Sequence, residues 1–252
     1  MTGILISGAN GRMGSMLAEV ISLRKDCFVC AGMDANTTKR HEFMVFAPEQ
    51  YEGDADVIID ASRCEGTSAL LEYAIRRNLP LVIMTTGHDD EQLAQIKTAS
   101  EKIPIFKSGN MSVGINIMSA LIKKAAEILG ENFDIEIVEA HHNKKVDAPS
   151  GTALMLAKSV SEGLKETPVY TYDRHLQRKP RDHEEIGIHS IRGGTIIGEH
   201  SVIFAGEDEV LTFSHSAGSR KMFAAGAVNA ALFLIHKKPG MYDMNDLIGG
   251  KI

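Results

Sequence analysis

The sequence predicts an α/β protein: an N-terminal doubly wound parallel sheet followed by a smaller α+β domain with a mixed or antiparallel sheet. Three observations carry this. Through the first 111 residues short apolar runs alternate with amphipathic helical segments, the signature of repeated strand-helix-strand units. A glycine-punctuated turn follows the first of those runs. Beyond residue 185 consecutive stretches with two-residue alternation replace that pattern, as expected where neighbouring strands pair antiparallel.

In chain order, Ile4-Leu5-Ile6 reads as a short buried strand, and Gly8, Gly11 and Gly14 form G-x-x-G-x-x-G at the start of a helically spaced segment, Met13 to Leu23. Phe28 to Met33 is a second strand ending at Asp34. Strand, glycine turn, helix and strand, with an acid about 20 residues beyond the turn, make a Rossmann-type dinucleotide-binding unit. The glycines allow a pyrophosphate to approach the helix N-terminus, where backbone N–H groups hold it. A carboxylate at the end of the second strand accepts hydrogen bonds from the adenosine ribose and repels a 2′-phosphate, so Asp34 favours NADH. Ala35 follows it, and the nearest cations are Lys39 and Arg40, which weakens the case for NADPH and leaves it as a second cofactor.

Asp56 to Asp60 is a central strand, Glu65 to Asn78 an amphipathic helix and Leu81 to Met84 a further strand. Asp90 to Lys102 reads as a helix and Ile103 to Lys107 as a strand leading into Ser108-Gly109-Asn110-Met111. In an open parallel sheet ligands lie beyond the carboxyl ends of the strands, which is where Ala61-Ser62-Arg63 and Thr85-Thr86-Gly87 fall. A plain turn is the alternative reading of Thr85-Thr86-Gly87. Ser112 to Leu129 is a long helix with apolar residues at 113, 117, 121, 125 and 128. The domains expected are 1–111, with the C-terminal segment 219–252 packing back on it, and 112–218. In the second, Glu185 to Ser190, Thr195 to Ile197 and Ser201 to Phe204 read as strands, and Met222 to His236 as the final helix.

The chemistry concentrates between residues 139 and 152. Asp134 to Val138 alternates as a strand, so Glu139-Ala140-His141-His142-Asn143-Lys144-Lys145-Val146-Asp147-Ala148-Pro149-Ser150-Gly151-Thr152 leaves a strand end. Histidine can give or take a proton near neutrality. Lys145 can attract an anion, or donate a proton if a dry site lowers its pKa. Ser150 or Thr152 caps a helix running from Ala153 to Leu164, whose N-terminus with Gly151 admits a carboxylate closely. Ordinary solvated loop residues and a simple helix start are the bland alternatives, and the adjacency of the two features speaks against both.

The run Glu-Ala-His-His-x-x-Lys-x-Asp-Ala-Pro-Ser-Gly-Thr-Ala resembles the signature of the 4-hydroxy-tetrahydrodipicolinate (dihydrodipicolinate) reductase family of the diaminopimelate route to lysine. The likeness extends to Gly8-Ala9-Asn10-Gly11-Arg12-Met13-Gly14, Asn110-Met111-Ser112-Val113-Gly114, Ser190-Ile191-Arg192-Gly193-Gly194 and Gly198-Glu199-His200, nearly the whole chain. It implies Lys145 as proton donor, His141 as general acid/base, and His142, Gly151 and Thr152 as ligands of a small dicarboxylate substrate. It implies cofactor contacts from Gly8, Ala9, Asn10, Gly11, Arg12, Met13 and Asp34, and on the nicotinamide side from Met84, Thr85, Thr86, Ser108, Gly109, Asn110 and Met111. Met84 stands where the family has glycine, and Met111 where an aromatic is expected. Assembly into a homotetramer through the second sheet is implied as well. A different nicotinamide-dependent dehydrogenase, or a non-catalytic dinucleotide sensor, would not need His141, Lys145 and Gly151-Thr152 together.

Composition bounds the rest. The 252 residues are 44% hydrophobic, enough for a substantial core, and a net charge of −6 with no long basic run argues against nucleic acid and polybasic membrane contacts. No segment approaches ~18 unbroken apolar residues, and the N-terminus has no basic leader, so a cytoplasmic protein is expected. Cys27, Cys30 and Cys64 are odd in number and lie in apolar surroundings, which favours buried thiols over disulfides. The adjacent imidazoles His141 and His142 would point to opposite faces of a strand and cannot easily chelate one ion, so no metal is expected.

Overall fold

Runs of isoleucine, leucine and valine too short for a helix become strands buried on both faces, and the amphipathic segments between them cover the sheet they form. The computed structural model describes every residue except Lys39, Glu131, Leu176 and 250–252, so the expected role of Lys39 lies outside the described residues. It divides into two units: Met1–Ser112 with the described residues from Lys221 onward, and Val113–Arg220.

The first unit begins β1 (Thr2–Ser7), α1 (Arg12–Ser22), β2 (Cys27–Met33), β3 (Val45–Phe46) and β4 (Val57–Asp60). A short 3₁₀ turn at Cys64–Gly66 leads into α2 (Thr67–Arg77), then β5 (Leu81–Ile83), α3 (Asp90–Ser100) and β6 (Pro104–Lys107). Asp89 and Gln92 close a reciprocal capping box at the start of α3, and Asn78 ends α2 in the left-handed conformation.

The second unit holds α4 (Val113–Leu129), β7 (Asp134–His141), α5 (Gly151–Gly163), β8 (Val169–Thr171), β9 (Glu185–Arg192), β10 (Glu199–Ala205) and β11 (Val210–Ser216). The chain then returns to the first unit through α6 (Lys221–Leu234), β12 (Gly240–Tyr242) and α7 (Met244–Ile248).

The first sheet has the order β12-β6-β5-β4-β1-β2-β3 with every pairing parallel, a doubly wound sheet. The alanine-rich α6 packs on β4, β5, β6 and α1, and Gly226 lets the Met111 carbonyl press against it. The second sheet is mixed, β11-β10-β7-β9-β8: β10 pairs antiparallel with both β7 and β11, while β9 runs parallel to β7 and β8. Its core joins Ile135, Ile137, Ile186, Ile188, Val202 and Phe204 to Ile122, Leu156 and Val160 of the two helices.

Thr195 to Ile197 is not a strand. Because β7 lies between β9 and β10, the connection has to cross the end of β7 and has no ladder to join. It is instead tied down through Gly193 N–H to the His141 carbonyl (2.9 Å) and Asn143 N–H to the Gly194 carbonyl (3.3 Å), so topology overrides β-propensity. The two-residue β3, the short β12 and α7 carry too little pattern to have been anticipated.

Candidate active site

The glycine turn of the first unit is built by backbone sterics. Gly8 has φ +77°, and a Cβ there would lie 2.6 Å from the Ala61 carbonyl oxygen. A Cβ at Gly14 would collide with the Gly8 carbonyl and lie 2.6 Å from that of Ala9. α1 therefore starts flush against the turn, with no side-chain cap on its first N–H groups, a geometry suited to a phosphate. Ala9 is buried, while Gly11 and Arg12 are exposed at the helix start, with Met13 half-buried.

Asp34 follows β2, and its two carboxylate oxygens accept the N–H groups of Asn10 and Asn36, each at 2.9 Å. The Asn10 amide also donates to the carbonyls of Asn36 and Thr38. The acid is thus aimed and the 34–38 segment tied to the glycine turn. Each oxygen keeps a lone pair for a ribose hydroxyl. The residues present fit a dinucleotide.

The remaining nicotinamide-side candidates line the carboxyl ends of β5 and β6. Thr85 is buried and donates to the Asp60 carboxylate (2.7 Å), which also takes the Ser62 hydroxyl at 2.5 Å, whereas Thr86 is exposed. Met84 is half-buried and its N–H bonds the Asp60 carbonyl (2.9 Å), so the sheet contact forms whatever the side chain. After β6, Ser108 is half-buried and Gly109 exposed, Asn110 is buried with its side chain accepting the Ser112 N–H (2.8 Å), and Met111 is buried.

In the second unit, β7 presents Ile135, Ile137, Glu139 and His141 on one face: the core stripe turns polar for its last two rungs. Register brings His200 of β10 opposite Glu139, and Ser190 and Arg192 of β9 opposite Glu139 and His141. Glu139 is fully buried. It accepts both Arg192 guanidinium nitrogens (2.8 and 2.7 Å), the Ser150 N–H (3.1 Å), and His141 Nδ1 at 2.6 Å. Burial alone would push this carboxyl up; the hydrogen bonds, led by Arg192, outweigh it and hold the group at about 2. Such a charge is tolerable inside only because it is paired and fully hydrogen-bonded.

Ser150 is the cap of α5, accepting the Ala153 N–H (3.1 Å) and contacting His200 Nε2 (3.1 Å). The His200 ring meets that of His141 edge to face, centroids 5.1 Å apart. Burial pulls His200 down to about 4, helped by His141 and opposed by Glu139, so it is neutral at working pH. Its Nδ1 has no hydrogen-bond partner among the described residues.

Lys145 lies in the loop after β7, its ammonium 2.8 Å from Asp147, whose carboxyl it holds below the usual range. The Asp147 carbonyl accepts from Arg192 (2.7 Å), tying loop to sheet, and the Ala148–Pro149 bond is cis. His142 is half-buried just past the strand, and Gly151 opens α5 with empty space where a Cβ would point. Thr152 follows it in the first turn.

The structure therefore gathers His141, His142, Lys145 and Gly151-Thr152 at one end of the mixed sheet. Residue types alone assign no functional role to Glu139, Arg192 or His200. The signal was there: Glu139 has the same parity as Ile135 and Ile137, and a carboxylate on a core face demands a buried partner. Among the described residues no group of three or more His, Cys, Asp or Glu side chains is arranged to hold a metal, and no helix is long and apolar enough to cross a membrane. All three cysteines are free thiols.

Comparison with known proteins points one way. Residues 2–111 match the family model "Dihydrodipicolinate reductase, N-terminus" and residues 114–248 the model "Dihydrodipicolinate reductase, C-terminus". The 4-hydroxy-tetrahydrodipicolinate reductase of Caldanaerobacter subterraneus is 49% identical over 249 residues, 98% of each chain. That of Clostridium novyi is 42% identical over 252 residues, the whole of both chains. Among solved structures, the dipicolinate-bound dihydrodipicolinate reductase of Paenisporosarcina sp. TG-14 superposes with a TM-score of 0.81 at 25% identity, covering 98% of this chain and 99% of that one. With both halves matched in order and relatives aligned end to end, this chain belongs to the dihydrodipicolinate reductase family of oxidoreductases.

Proposed function

We propose that this chain carries out the NAD(P)H-dependent reduction of 4-hydroxy-tetrahydrodipicolinate to tetrahydrodipicolinate in diaminopimelate and lysine biosynthesis. The observation that carries the reading is the grouping of a buried imidazole, His141, with Lys145 and the N-terminus of α5 at one sheet end, in a chain of this family. The substrate is a cyclic imine with two carboxylates and a hydroxyl, and loss of water leaves a conjugated ring. The bound nicotinamide supplies a hydride.

The chain supplies the rest. His141 acts as general acid/base and Lys145 as proton donor. His142 and the α5 start at Gly151-Thr152 hold a substrate carboxylate, using the positive end of the helix. A substrate carboxylate can replace Asp147, which aims the Lys145 side chain, as its partner. Asp147 orders the loop and does not react.

For the cofactor, the backbone from Gly8 to Met13 takes the pyrophosphate and Asp34 the adenosine ribose. Met84, Thr85, Thr86 and Ser108 to Met111 lie toward the nicotinamide. Asp34 sets a preference for NADH, with NADPH as a second cofactor. Exposed Ile191, Val210 and Leu211 on the mixed sheet suit burial by further copies of the chain in a homotetramer working in the cytoplasm.

The test is NADH and NADPH oxidation with the product of dihydrodipicolinate synthase as substrate, comparing wild type with Lys145→Ala at equal protein. The variant should lose turnover by about two orders of magnitude or more, the usual scale for a proton-transfer group. A folded, NADH-binding wild type that fails to turn over would sink the assignment.

A further inference from the structure

We infer that Glu139 is a positioning residue that dictates which ring nitrogen of His141 exchanges protons, with Arg192 and the Ser150 N–H holding it to that task. The inference deepens the acid/base reading of His141 and rests on it.

The geometry leaves Glu139 one arrangement. Its Oε1 takes Arg192 Nη2 at 2.7 Å and the Ser150 N–H at 3.1 Å, and its Oε2 takes Arg192 Nη1 at 2.8 Å. A carboxylate in a bidentate guanidinium pair is ionised and can only accept. The Ser190 side chain also donates to this carboxylate, and the contact of His141 Nδ1 to Oε2 at 2.6 Å therefore requires hydrogen on Nδ1. The neutral ring is then the Nδ1–H tautomer and Nε2 is the bare atom. Space has been kept on that side: a Cβ at Gly198 would lie 3.0 Å from His141 Nε2. The titratable and charged groups around the pair are Arg192 from β9, His200 and His215 from β10 and β11, and Lys145 and Asp147 from the loop. None of these offers Nδ1 a competing acceptor at hydrogen-bond distance among the described residues.

The same contacts say what glutamine would do. In Glu139→Gln the amide oxygen takes the Oε1 place, where both partners, Arg192 Nη2 and the Ser150 N–H, can only donate; at the Oε2 place one of the two partners is an imidazole nitrogen that can turn acceptor, so the NH₂ goes there and faces His141. Nδ1 is then forced to accept, and the ring switches to the Nε2–H tautomer. A proton would sit on the atom that should be bare in one half of the exchange.

Two readouts test this. Ring-nitrogen NMR of ¹⁵N-histidine-labelled protein, with His141 assigned by its loss in His141→Gln, should show Nδ1–H for His141 in the wild type and Nε2–H in Glu139→Gln. Steady-state kinetics should show kcat lowered by about 100-fold in Glu139→Gln with KM for the substrate within about threefold, the pattern of a lost transition-state contribution. An Nε2–H signal for His141 in the wild type overturns the inference without any variant having to fold. So does an unswitched tautomer in folded Glu139→Gln, or a switched one with kcat kept. If His141→Gln itself turns over at the wild-type rate, the acid/base reading fails instead, a result separate from all three.

Discussion

The two candidate sites of this chain are made of different material. The glycine turn of the first unit is a backbone site: its shape comes from missing Cβ atoms at Gly8 and Gly14, and its acidic anchor, Asp34, takes backbone N–H groups. The end of β7 is a side-chain site: a buried carboxylate, a guanidinium and two imidazoles are interlocked on the core face of a strand. A backbone site tolerates side-chain change around it. The Met84 N–H makes its sheet bond to the Asp60 carbonyl whatever the side chain. A site of buried charges is stoichiometric, because every group removed leaves another without a partner.

The sharpest break of that contrast is Arg192→Met. It leaves the Glu139 carboxylate fully buried with its strongest partner gone. Removing one member of a buried ion pair costs about 3–5 kcal/mol, so thermal or urea unfolding should show the mixed-sheet unit markedly weakened. Loss below ~1 kcal/mol, the scale of an exposed pair, would show that water reaches Glu139 and that the two sites differ less than the geometry says.

Gly14→Ala attacks the backbone site. The added methyl meets the carbonyls of Gly8 and Ala9 and the Ala9 Cα, all backbone, so the turn itself must shift. Overpacking of this kind costs about 1–3 kcal/mol, and fluorescence titration should find NADH affinity reduced together with stability. Wild-type NADH affinity in this variant would separate cofactor binding from the shape of the turn.

How far each site could be read in advance follows from the same difference. The glycine spacing, the apolar runs and Asp34 announce the first sheet because its rules are local: a tight turn needs glycine wherever it occurs. The parallel pairing was legible on the same terms, and so was the stretch from Glu139 to Thr152, although β7 runs on to His141 where the alternation puts its end at Val138. What was not legible is long-range. Arg192 reaches Glu139 across 53 positions and His200 reaches Ser150 across 50, and only the packing of distant elements sets those pairs. Thr195-Ile196-Ile197 has the composition of a strand and is none, because the crossing over β7 leaves it nothing to pair with.

Acid separates the two sites most gently. His200 has its folded pKa lowered, chiefly by burial, from 6.5 to about 4. The unfolded chain therefore binds the extra proton first as pH falls, and the stability this neutral ring contributes is whole above about 6.5 and is lost down to about 4. Between pH 7 and 5 the loss is on the order of 1–2 kcal/mol. Glu139, also depressed, to about 2, acts in the same direction but lower: its contribution is present above about 4.5 and drains as pH falls toward 2. Urea unfolding of wild type and His200→Gln across pH 7 to 5 should show the wild type losing more stability than the variant over that range. The Glu139 step lies below it and is common to both. Parallel pH dependence in the two proteins would mean that His200 is solvated and charges without cost. The end of β7 would then be less dry than a buried carboxylate, a guanidinium and two imidazoles in contact require.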